Sequence, residues 1–418
     1  MPEYDSKPSA GPASAGLPVE KTAGKQTLLV CCALSFFCYI ATFMRMPVVP
    51  KLALDLGIGA VGIGHINAAY FLTAGLFAFP LGRVSDRLGK KPVALGGLLS
   101  LAAGSLILAL SATFLQLAAG YILIGLGMAA FGSAMMSLIS DIAPAARLGR
   151  AYGWFTMTLY AGMSFGPAIG GLLAKEMALS RILLLTALLT LLVVGAAWLF
   201  LPSGHSANST GSPLTAGSAT RALLRNRPLL GCLLGTLGAC FCMGMFLSFY
   251  PLYAYAEGFS ISQVGIIFLF HGVGNGLVRV PSGYLSDRIR DRRLPVAFGL
   301  VGCSVAMGIL GLAGTFVTAN LGAASLGLSL GVAFPSLGAS IARTVPKSLM
   351  GMAMGGFNAC IFLGMLVNAL FMGPAIETIG FAGCFWLSAI MNGILAGLSL
   401  MLMRGTRPRE KTKSSSTN

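Results

Sequence analysis

The chain alternates between long apolar stretches and short polar ones. Apolar runs close to the ~20 residues needed to cross the hydrocarbon of a bilayer begin near positions 27, 60, 92, 115, 150, 182, 228, 261, 295, 319, 350 and 381. Several runs are interrupted by Gly or Pro, which membrane helices tolerate because neighbouring groups satisfy the freed backbone. The pattern predicts an all-α membrane protein with twelve transmembrane helices.

A short phrase occurs twice, each time at the end of an apolar run. Pro80-x-Gly82-x-x-Ser85-Asp86-Arg87 returns 201 positions later as Pro281-x-Gly283-x-x-Ser286-Asp287-Arg288. Solenoid repeats have periods of roughly 20 to 50 residues, so this spacing indicates two homologous halves. In a membrane protein, paired halves point to a transporter.

The repeat and the polar stretches predict the division of the chain. A small-residue segment without periodicity, rich in Ser, Gly and Pro, separates the halves and reads as a flexible linker. The predicted segments are a disordered cytoplasmic tail at 1–26, a six-helix half at 27–201, a cytoplasmic linker at 202–226, a second six-helix half at 227–404 and a cytoplasmic tail at 405–418.

Composition and charge support a membrane protein. Hydrophobic residues make up 56% of the chain and charged residues 10%, which excludes a soluble protein. The net charge of +16 is unevenly distributed: of the 28 Lys and Arg residues, all but Arg45, Lys51, Lys175 and Arg181 fall in the tails and in alternate loops. By the positive-inside rule, both termini are expected on the cytoplasmic side of the inner membrane, and a nucleic-acid partner is excluded.

The first copy of the phrase continues as Gly82-Arg-Val-Ser-Asp86-Arg87-Leu-Gly89-Lys90-Lys91. It resembles the signature between helices 2 and 3 of the major facilitator superfamily, and with the repeat the resemblance covers nearly the whole chain. The resemblance implies the major facilitator fold and a cytoplasmic gate, in which Asp141 pairs with Arg87 or Lys90. The predicted gate comprises Gly82, Asp86, Arg87, Gly89, Lys90, Lys91 and Asp141, with Gly283, Asp287 and Arg288 in the second half.

Simpler interpretations of the gate residues remain open. The basic residues would also satisfy the positive-inside rule alone, although that rule does not explain the placement of Gly and Asp. Asp141 would also be accounted for by solvation at a helix end.

The fifth helix carries Gly162-x-x-x-Gly166-Pro167-x-x-Gly170-Gly171. This segment is similar to the antiporter signature of the twelve-helix drug:proton exporters, and a Gly-rich helix arising by chance is the alternative. Pro and Gly bend a helix and allow close contact. One family feature is missing: Tyr121 stands where these exporters have an Arg associated with proton coupling.

None of the twelve acidic residues falls in the middle of a helix, although proton-coupled transporters usually keep a titratable group there. The ionisable groups within the membrane are Arg45, His271 and, closer to the cytoplasmic end, Arg279. Arg45 is either a cavity cation or a side chain that reaches the outer interface, and His271 is either a titratable cavity group or a packing residue. The candidate cavity residues are Arg45, Asn67, Tyr70, Tyr160, His271, Asn275 and Asn358.

These features favour an exporter of a small amphiphilic or anionic organic molecule, working by alternating access as a monomer. Uptake, facilitation and lipid flipping are the alternatives within transport; a membrane enzyme or sensor is disfavoured because clustered catalytic acids and a soluble domain are not evident. The nine Cys residues show no metal-ligand spacing, so neither a metal nor a cofactor is expected. Membrane lipids and the small-molecule substrate are the expected partners, with a proton as candidate coupling ion.

Overall fold

The computed structural model describes residues 19–143, 148–202, 221–288, 291, 293–346 and 349–405. The predicted tails at 1–18 and 406–418, and residues 203–220 of the predicted linker, lie outside the described residues. The described chain is built from helices that pack side by side. They are α1 (Val19–Phe43), α2 (Arg45–Asp55), α3 (Ala60–Leu88), α4 (Lys90–Ala109), α5 (Phe114–Ile142), α6 (Leu148–Leu173), α7 (Leu179–Phe200), α8 (Arg227–Ala256), α9 (Ile261–Arg288), α10 (Arg293–Gly311), α11 (Phe316–Thr344) and α12 (Met350–Leu402).

These helices give the twelve crossings that the apolar pattern predicts. Ten helical segments are long and apolar enough to cross a membrane within the described residues. One of them, the 53-residue α12, contains two crossings joined at Gly380, whose φ of 70° interrupts the helix. α6 is not among these ten segments, although its 26 residues are enough to span the hydrocarbon of a bilayer.

The first crossing is interrupted, but not ended, at Met44. The interruption separates α1 from α2, because Pro47 has no N–H to donate to the carbonyl of Phe43. Met44 keeps helical φ and ψ of −52° and −29°, and residues Gln26–Asp55 form one apolar span of 30 residues, so Arg45 lies late in the first crossing. α1 begins at Val19, since Lys, Ala and Gln in this stretch extend the helix beyond its apolar part. The cytoplasmic tail at 1–26 stays a prediction.

The two halves repeat the same local devices. Gly57 and Gly258, which are 201 positions apart, end α2 and α8 with φ of 74° and 83°, values that favour Gly. Thr113 and Thr315 close capping boxes at the starts of α5 and α11. The duplication seen in the sequence thus extends to the turns and helix caps.

The halves meet mainly through two helix pairs, α6 with α9 and α3 with α12. The α3–α4, α5–α6, α9–α10 and α11–α12 connections lie at one end of the bundle, here called the basic end because most Lys and Arg residues cluster there. The turns at Gly57 and Gly258 lie at the other, here called the opposite end.

Candidate functional site

Arg45 is buried inside the N-terminal half, with only 1% of its surface exposed. Its guanidinium carbon lies 4.8 Å from the centre of the Tyr121 ring and 5.3 Å from that of Tyr70. Nη1 donates a hydrogen bond of 3.3 Å to the carbonyl of Thr42. Arg45 therefore does not extend to the outer interface, and two aromatic rings stabilise its charge.

Glycines of α6 hold the first crossing in the position that buries Arg45. Gly162 packs against the backbone of α1 around Tyr39, and Gly166 and Gly170 pack against Ile40 and Met44. A side chain on any of the three glycines would collide with main-chain atoms of α1. The glycines of the signature thus allow α1 to approach α6 closely, directly before Arg45 in the chain.

The opposite face of α6 contacts the C-terminal half. Gly171 packs against Ile261 and Gly265 of α9, and Gly265 in turn lies against the carbonyl of Pro167. One short segment therefore touches both its own half and the other. In a bundle whose halves rock against each other, such a contact is where the two halves would slide.

Tyr121 reaches Arg45 because α5 packs closely on α3. Gly125, one turn after Tyr121, lies against the backbone of Tyr70 and Ala74. The rings of Tyr70 and Tyr121 meet edge to face, with centroids 6.3 Å apart. Tyr121, which stands where the exporters have an Arg, is therefore in contact with the buried Arg45.

A second cation approaches this region from the C-terminal half. The guanidinium carbon of Arg279 lies 4.0 Å from the centre of the Tyr160 ring, and its Nη1 donates to Asn275 Oδ1 at 3.3 Å. Tyr39 of α1 packs on Gly162, which lies two positions after Tyr160 in α6. Tyrosines of the N-terminal half thus contact both cations, Tyr70 and Tyr121 at Arg45 and Tyr160 at Arg279.

His271 is buried in the C-terminal half. Its Nδ1 lies 3.3 Å from the carbonyl oxygen of Ala323, and its ring lies 4.7 Å from that of Phe246. Gly327 of α11 packs against the backbone of His271 and Asn275, which holds α9 and α11 together. His271 therefore has the contacts of a packing residue, and its role in a cavity stays a prediction.

The candidate cavity residues Asn67 and Asn358 form no hydrogen bond with Arg45, Arg279 or His271. Asn67 is buried in α3 and donates to the carbonyl of Ile63 one turn earlier, at 3.0 Å. Asn358 is exposed on α12 and forms no side-chain hydrogen bond with a described residue. Their assignment to the cavity remains a prediction.

The loop between α3 and α4 turns at Gly89, whose φ of 97° favours Gly. Lys90, which is only 4% exposed, forms an ion pair with Asp141, one of the two pairings that the resemblance implies for this acid. Asp86 accepts a hydrogen bond of 3.3 Å from Ser137. These contacts tie α3, α4 and α5 together at the basic end.

The remaining gate residues are less connected. Arg87 is exposed, and Lys91 lies 5.8 Å from the centre of the Trp198 ring. Gly283, Asp287 and Arg288 lie in α9, and their surroundings are outside the described part of the structure. Nearby, Arg293 holds Asp291 through several hydrogen bonds, which keep the pKa of that carboxyl below its usual range.

The halves are joined most closely at the opposite end. The hydroxyl of Tyr255 in α8 donates to the carbonyl of Pro47 in α2. Gly64 and Gly373 place α3 and α12 in backbone contact. A shallow cavity of about 450 Å³ between the halves at this end is lined by Lys51, Lys175 and the Tyr255 turn, among others, and is separate from the buried Arg45.

Among the described residues, few contacts between the halves are found toward the basic end, where positions 144–147, 289–290, 292 and 347–348 are not described. Gly351 and Gly355 in α12 have open space where a side chain would project, and the neighbouring Asn358 is exposed. The described hydrogen bonds and glycine contacts that join the halves run from the opposite end to about the middle of the bundle, where Arg279 meets Tyr160.

Nothing in the described part of the chain groups His, Cys, Asp or Glu residues in a way that would hold a metal ion. All nine cysteines are described, and none forms a disulfide.

Two helical halves with repeated turns and caps, built from long apolar helices, give the architecture of a membrane transporter. The chain belongs to the Major Facilitator Superfamily, whose family model matches residues 31–319 and 255–418.

Relatives of the chain include two proteins named for drug resistance. The chain is 23% identical to the uncharacterised MFS-type transporter MJ1560 of Methanocaldococcus jannaschii, over 88% of this chain and 97% of that one. It is 28% identical to the class G tetracycline resistance protein of Vibrio anguillarum, over 78% and 84% of the two chains. Over 34% of this chain and 36% of that one, it is 23% identical to the quinolone resistance protein NorA of Staphylococcus aureus.

Solved structures share the fold. A bacterial homolog of the human lysosomal transporter Spinster, in an inward-facing and unoccupied conformation, superposes with a TM-score of 0.76 at 15% identity, over 92% of this chain and 98% of that chain. The human organic anion transporter MFSD10 (TETRAN) superposes with a TM-score of 0.66 at 17% identity, over 91% of this chain and 100% of that chain. At these identities the likeness concerns the fold.

Sequence reasoning missed two members of the tyrosine group. Tyr39 was not singled out, and Tyr121 was noted only as a departure from the exporter pattern. Arg279 was recognised as ionisable but was not placed among the cavity residues. A signal for all three was available, because Tyr and Arg within membrane helices are expected to face polar surroundings.

Proposed function

We propose that the protein exports a small amphiphilic or anionic organic molecule across the cytoplasmic membrane by alternating access, as a monomer with both termini in the cytoplasm. The observation that carries this proposal is the double contact of α6: Gly166 and Gly170 lie against α1, and Gly171 lies against α9 of the other half. This segment carries the exporter-type signature and is the place where the halves meet.

The arrangement of the ends supports the same proposal. The halves are in backbone contact at the opposite end, whereas Gly351 and Gly355 face open space toward the basic end. The proposal places access to the middle of the bundle at the basic end, which the positive-inside rule assigns to the cytoplasm. Two relatives are named for resistance to tetracycline and to quinolones, which favours export over uptake.

Arg45 and His271 are the charged candidates for substrate contact, one in each half. A proton is the candidate coupling ion, and His271 is the candidate group to carry it, because Asp86, Asp141 and the other acids lie at or near helix ends or in the loops. Lipid flipping and facilitated diffusion are the alternatives, and the vesicle assay described next distinguishes them from export.

Everted membrane vesicles test the direction and the site. Vesicles containing the protein, with an acidic lumen, are expected to accumulate 6-carboxyfluorescein or ethidium above vesicles that lack it. Arg45→Ala and His271→Ala are expected to reduce accumulation to background at an unchanged protein level, whereas the exposed Arg181→Ala serves as the control.

Three outcomes contradict parts of the proposal. Wild-type accumulation in both variants would show that Arg45 and His271 do not form the site. Accumulation in right-side-out vesicles alone would reverse the direction. Accumulation that is indifferent to the pH gradient would exclude proton coupling.

A further inference from the structure

Arg45 carries a charge that the described protein does not neutralise. A guanidinium remains protonated even when buried, and an unpaired buried charge is costly. The ion pairs among the described residues are Lys51–Asp55, Lys90–Asp141 and Arg293–Asp291, all near helix ends. Arg45 thus depends on Tyr70 and Tyr121, whose rings stabilise the cation but provide no carboxylate.

The unused donors of Arg45 lie on one edge of the guanidinium. Nη1 is bonded to the carbonyl of Thr42, whereas Nε and Nη2 are buried and have no acceptor in hydrogen-bond geometry, although the Tyr70 hydroxyl lies near the guanidinium. Nε and Nη2 form one of the two forks through which a guanidinium binds a carboxylate with parallel hydrogen bonds.

The same chain shows this fork in use. Arg293 donates from Nε to Asp291 Oδ1 at 2.8 Å and from Nη2 to Asp291 Oδ2 at 2.6 Å. The pair of atoms that binds a carboxylate in Arg293 is the pair left without an acceptor in Arg45. A planar group with two acceptor oxygens therefore matches the free edge of Arg45.

The surroundings of this edge are aromatic. Tyr70 and Tyr121 lie on Arg45 itself, and Tyr39 packs on Gly162 of α6, two positions after Tyr160. Tyr39 and Tyr160 are only partly buried, as is Arg279, which rests on the ring of Tyr160 from the other half. These four tyrosines are here called the tyrosine row. A flat aromatic body can stack on such rings, whereas an aliphatic chain gains less from them.

We propose that Arg45 binds the carboxylate of an aromatic carboxylic acid through Nε and Nη2, and that the tyrosine row holds the aromatic body of this substrate. The inference rests on the proposed function, because it specifies which molecules the transporter carries. Arg279 contacts the same row from the C-terminal half, so a ligand bound along it touches both halves.

Ligand comparison on the unmodified protein tests the proposal without a mutation. The full chain, purified in detergent, is titrated calorimetrically with 2-naphthoate, 2-naphthamide and 2-naphthylmethylamine, which share the aromatic body and differ in the polar group. We expect 2-naphthoate to bind at least about tenfold more tightly than the amide or the amine, because only a carboxylate accepts two charge-assisted hydrogen bonds. Equal affinities, or no binding of 2-naphthoate at millimolar concentration, would overturn the proposal.

Variants assign the binding to the fork. Arg45→Lys keeps the charge but cannot offer two parallel donors, so 2-naphthoate affinity is expected to fall by about tenfold, with little change for the amide. Arg181→Lys makes the same change at an exposed position of α7 and should leave both affinities unchanged. An unaltered naphthoate affinity in folded Arg45→Lys would contradict the role of Arg45.

The result separates this inference from transport itself. If carboxyfluorescein or ethidium is exported but 2-naphthoate shows no preference over its analogues, the substrate class is wrong and the transport function stands. If 2-naphthoate binds selectively and no probe is moved by the vesicles, the binding site stands and the export function is wrong.

Discussion

The guanidinium of Arg45 rests on the ring of Tyr121, with the carbon 4.8 Å from the ring centre. Arg45 belongs to the first crossing and Tyr121 to the fourth, and in the exporters that this chain resembles the position of Tyr121 holds an Arg. Here the positive charge near the fourth crossing therefore comes from the first crossing. A tyrosine is the suitable neighbour, because an Arg beside Arg45 would place two like charges together.

The contact predicts different effects of two substitutions at Tyr121. Tyr121→Phe keeps an aromatic face and should retain most of the stability, whereas Tyr121→Leu removes the cation–π contact and should lower the free energy of unfolding by about 1 to 2 kcal/mol more. The measurement is the apparent Tm of the purified protein in detergent. Equal losses in the two variants would show that Arg45 gains nothing from the ring.

The packing of α6 on α1 makes Gly170 intolerant of a side chain. A Cβ there would overlap the carbonyl of Met44, so Gly170→Ala is expected to lower the apparent Tm and the export of 6-carboxyfluorescein. Gly195→Ala is the matched control, because Gly195 is exposed on α7 with open space around it. Because Ala loses less backbone entropy than Gly on entering a helix, Gly195→Ala should be neutral or should raise the stability by up to about 1 kcal/mol. Similar behaviour of both variants would contradict the close approach of α6 and α1.

The hydrogen bond from Tyr255 to the carbonyl of Pro47 joins the halves at the opposite end. Tyr255→Phe removes this hydrogen bond, which should destabilise the arrangement closed at the opposite end by about 1 kcal/mol. The opposite end should therefore open more often. Labelling of Ser262→Cys by a membrane-impermeant maleimide is therefore expected to become about three- to tenfold faster, after subtraction of labelling at native cysteines.

Tyr253→Phe provides the control for this experiment. The hydroxyl of Tyr253 donates to the carbonyl of Ala313 at 3.4 Å within the C-terminal half, so its loss should not change the labelling rate. Faster labelling in both variants would indicate general loosening of α8 in place of opening between the halves.

The ion pair between Lys90 and Asp141 predicts a non-additive double mutant. Lys90 is buried, so Asp141→Asn leaves its charge unpaired and should lower the free energy of unfolding by about 1 kcal/mol, a modest value because Asp141 is 40% exposed. Adding Lys90→Met removes the unpaired charge and should restore part of this loss in the apparent Tm. An additive double mutant would mean that the pair has no energetic coupling.

The fold was largely predictable because length and hydropathy decide membrane crossings. The starts of α3, α5, α9 and α12 at Ala60, Phe114, Ile261 and Met350 agree with the apolar pattern within a residue or so. The pattern did not reveal the interruption of the first crossing at Met44, since Pro47 can either kink a membrane helix or end it. It also did not show that α1 begins at Val19, because the preceding polar residues form helices without being apolar.

The candidate site was predictable only in part. Arg45 and His271 stood out as ionisable residues in apolar segments, and the pair Lys90–Asp141 followed from the resemblance. The partnership of Arg45 with Tyr121 was not visible, because the two residues are 76 positions apart and no spacing rule connects the first and fourth crossings. The contact between Arg279 and Tyr160 could not be predicted for the same reason, because it crosses the interface of the two halves.

The sequence by itself determined the membrane class, the twelve crossings, the duplication and the superfamily, because each is written in local hydropathy or in contiguous motifs. The tertiary structure decided which cation is buried, which of its N–H groups lack an acceptor and which tyrosines surround it. Those properties arise from helix packing, where glycines such as Gly170 and Gly125 set how closely two backbones approach. Hydropathy determines whether a helix lies in the membrane, whereas packing between helices determines the direction in which each side chain points.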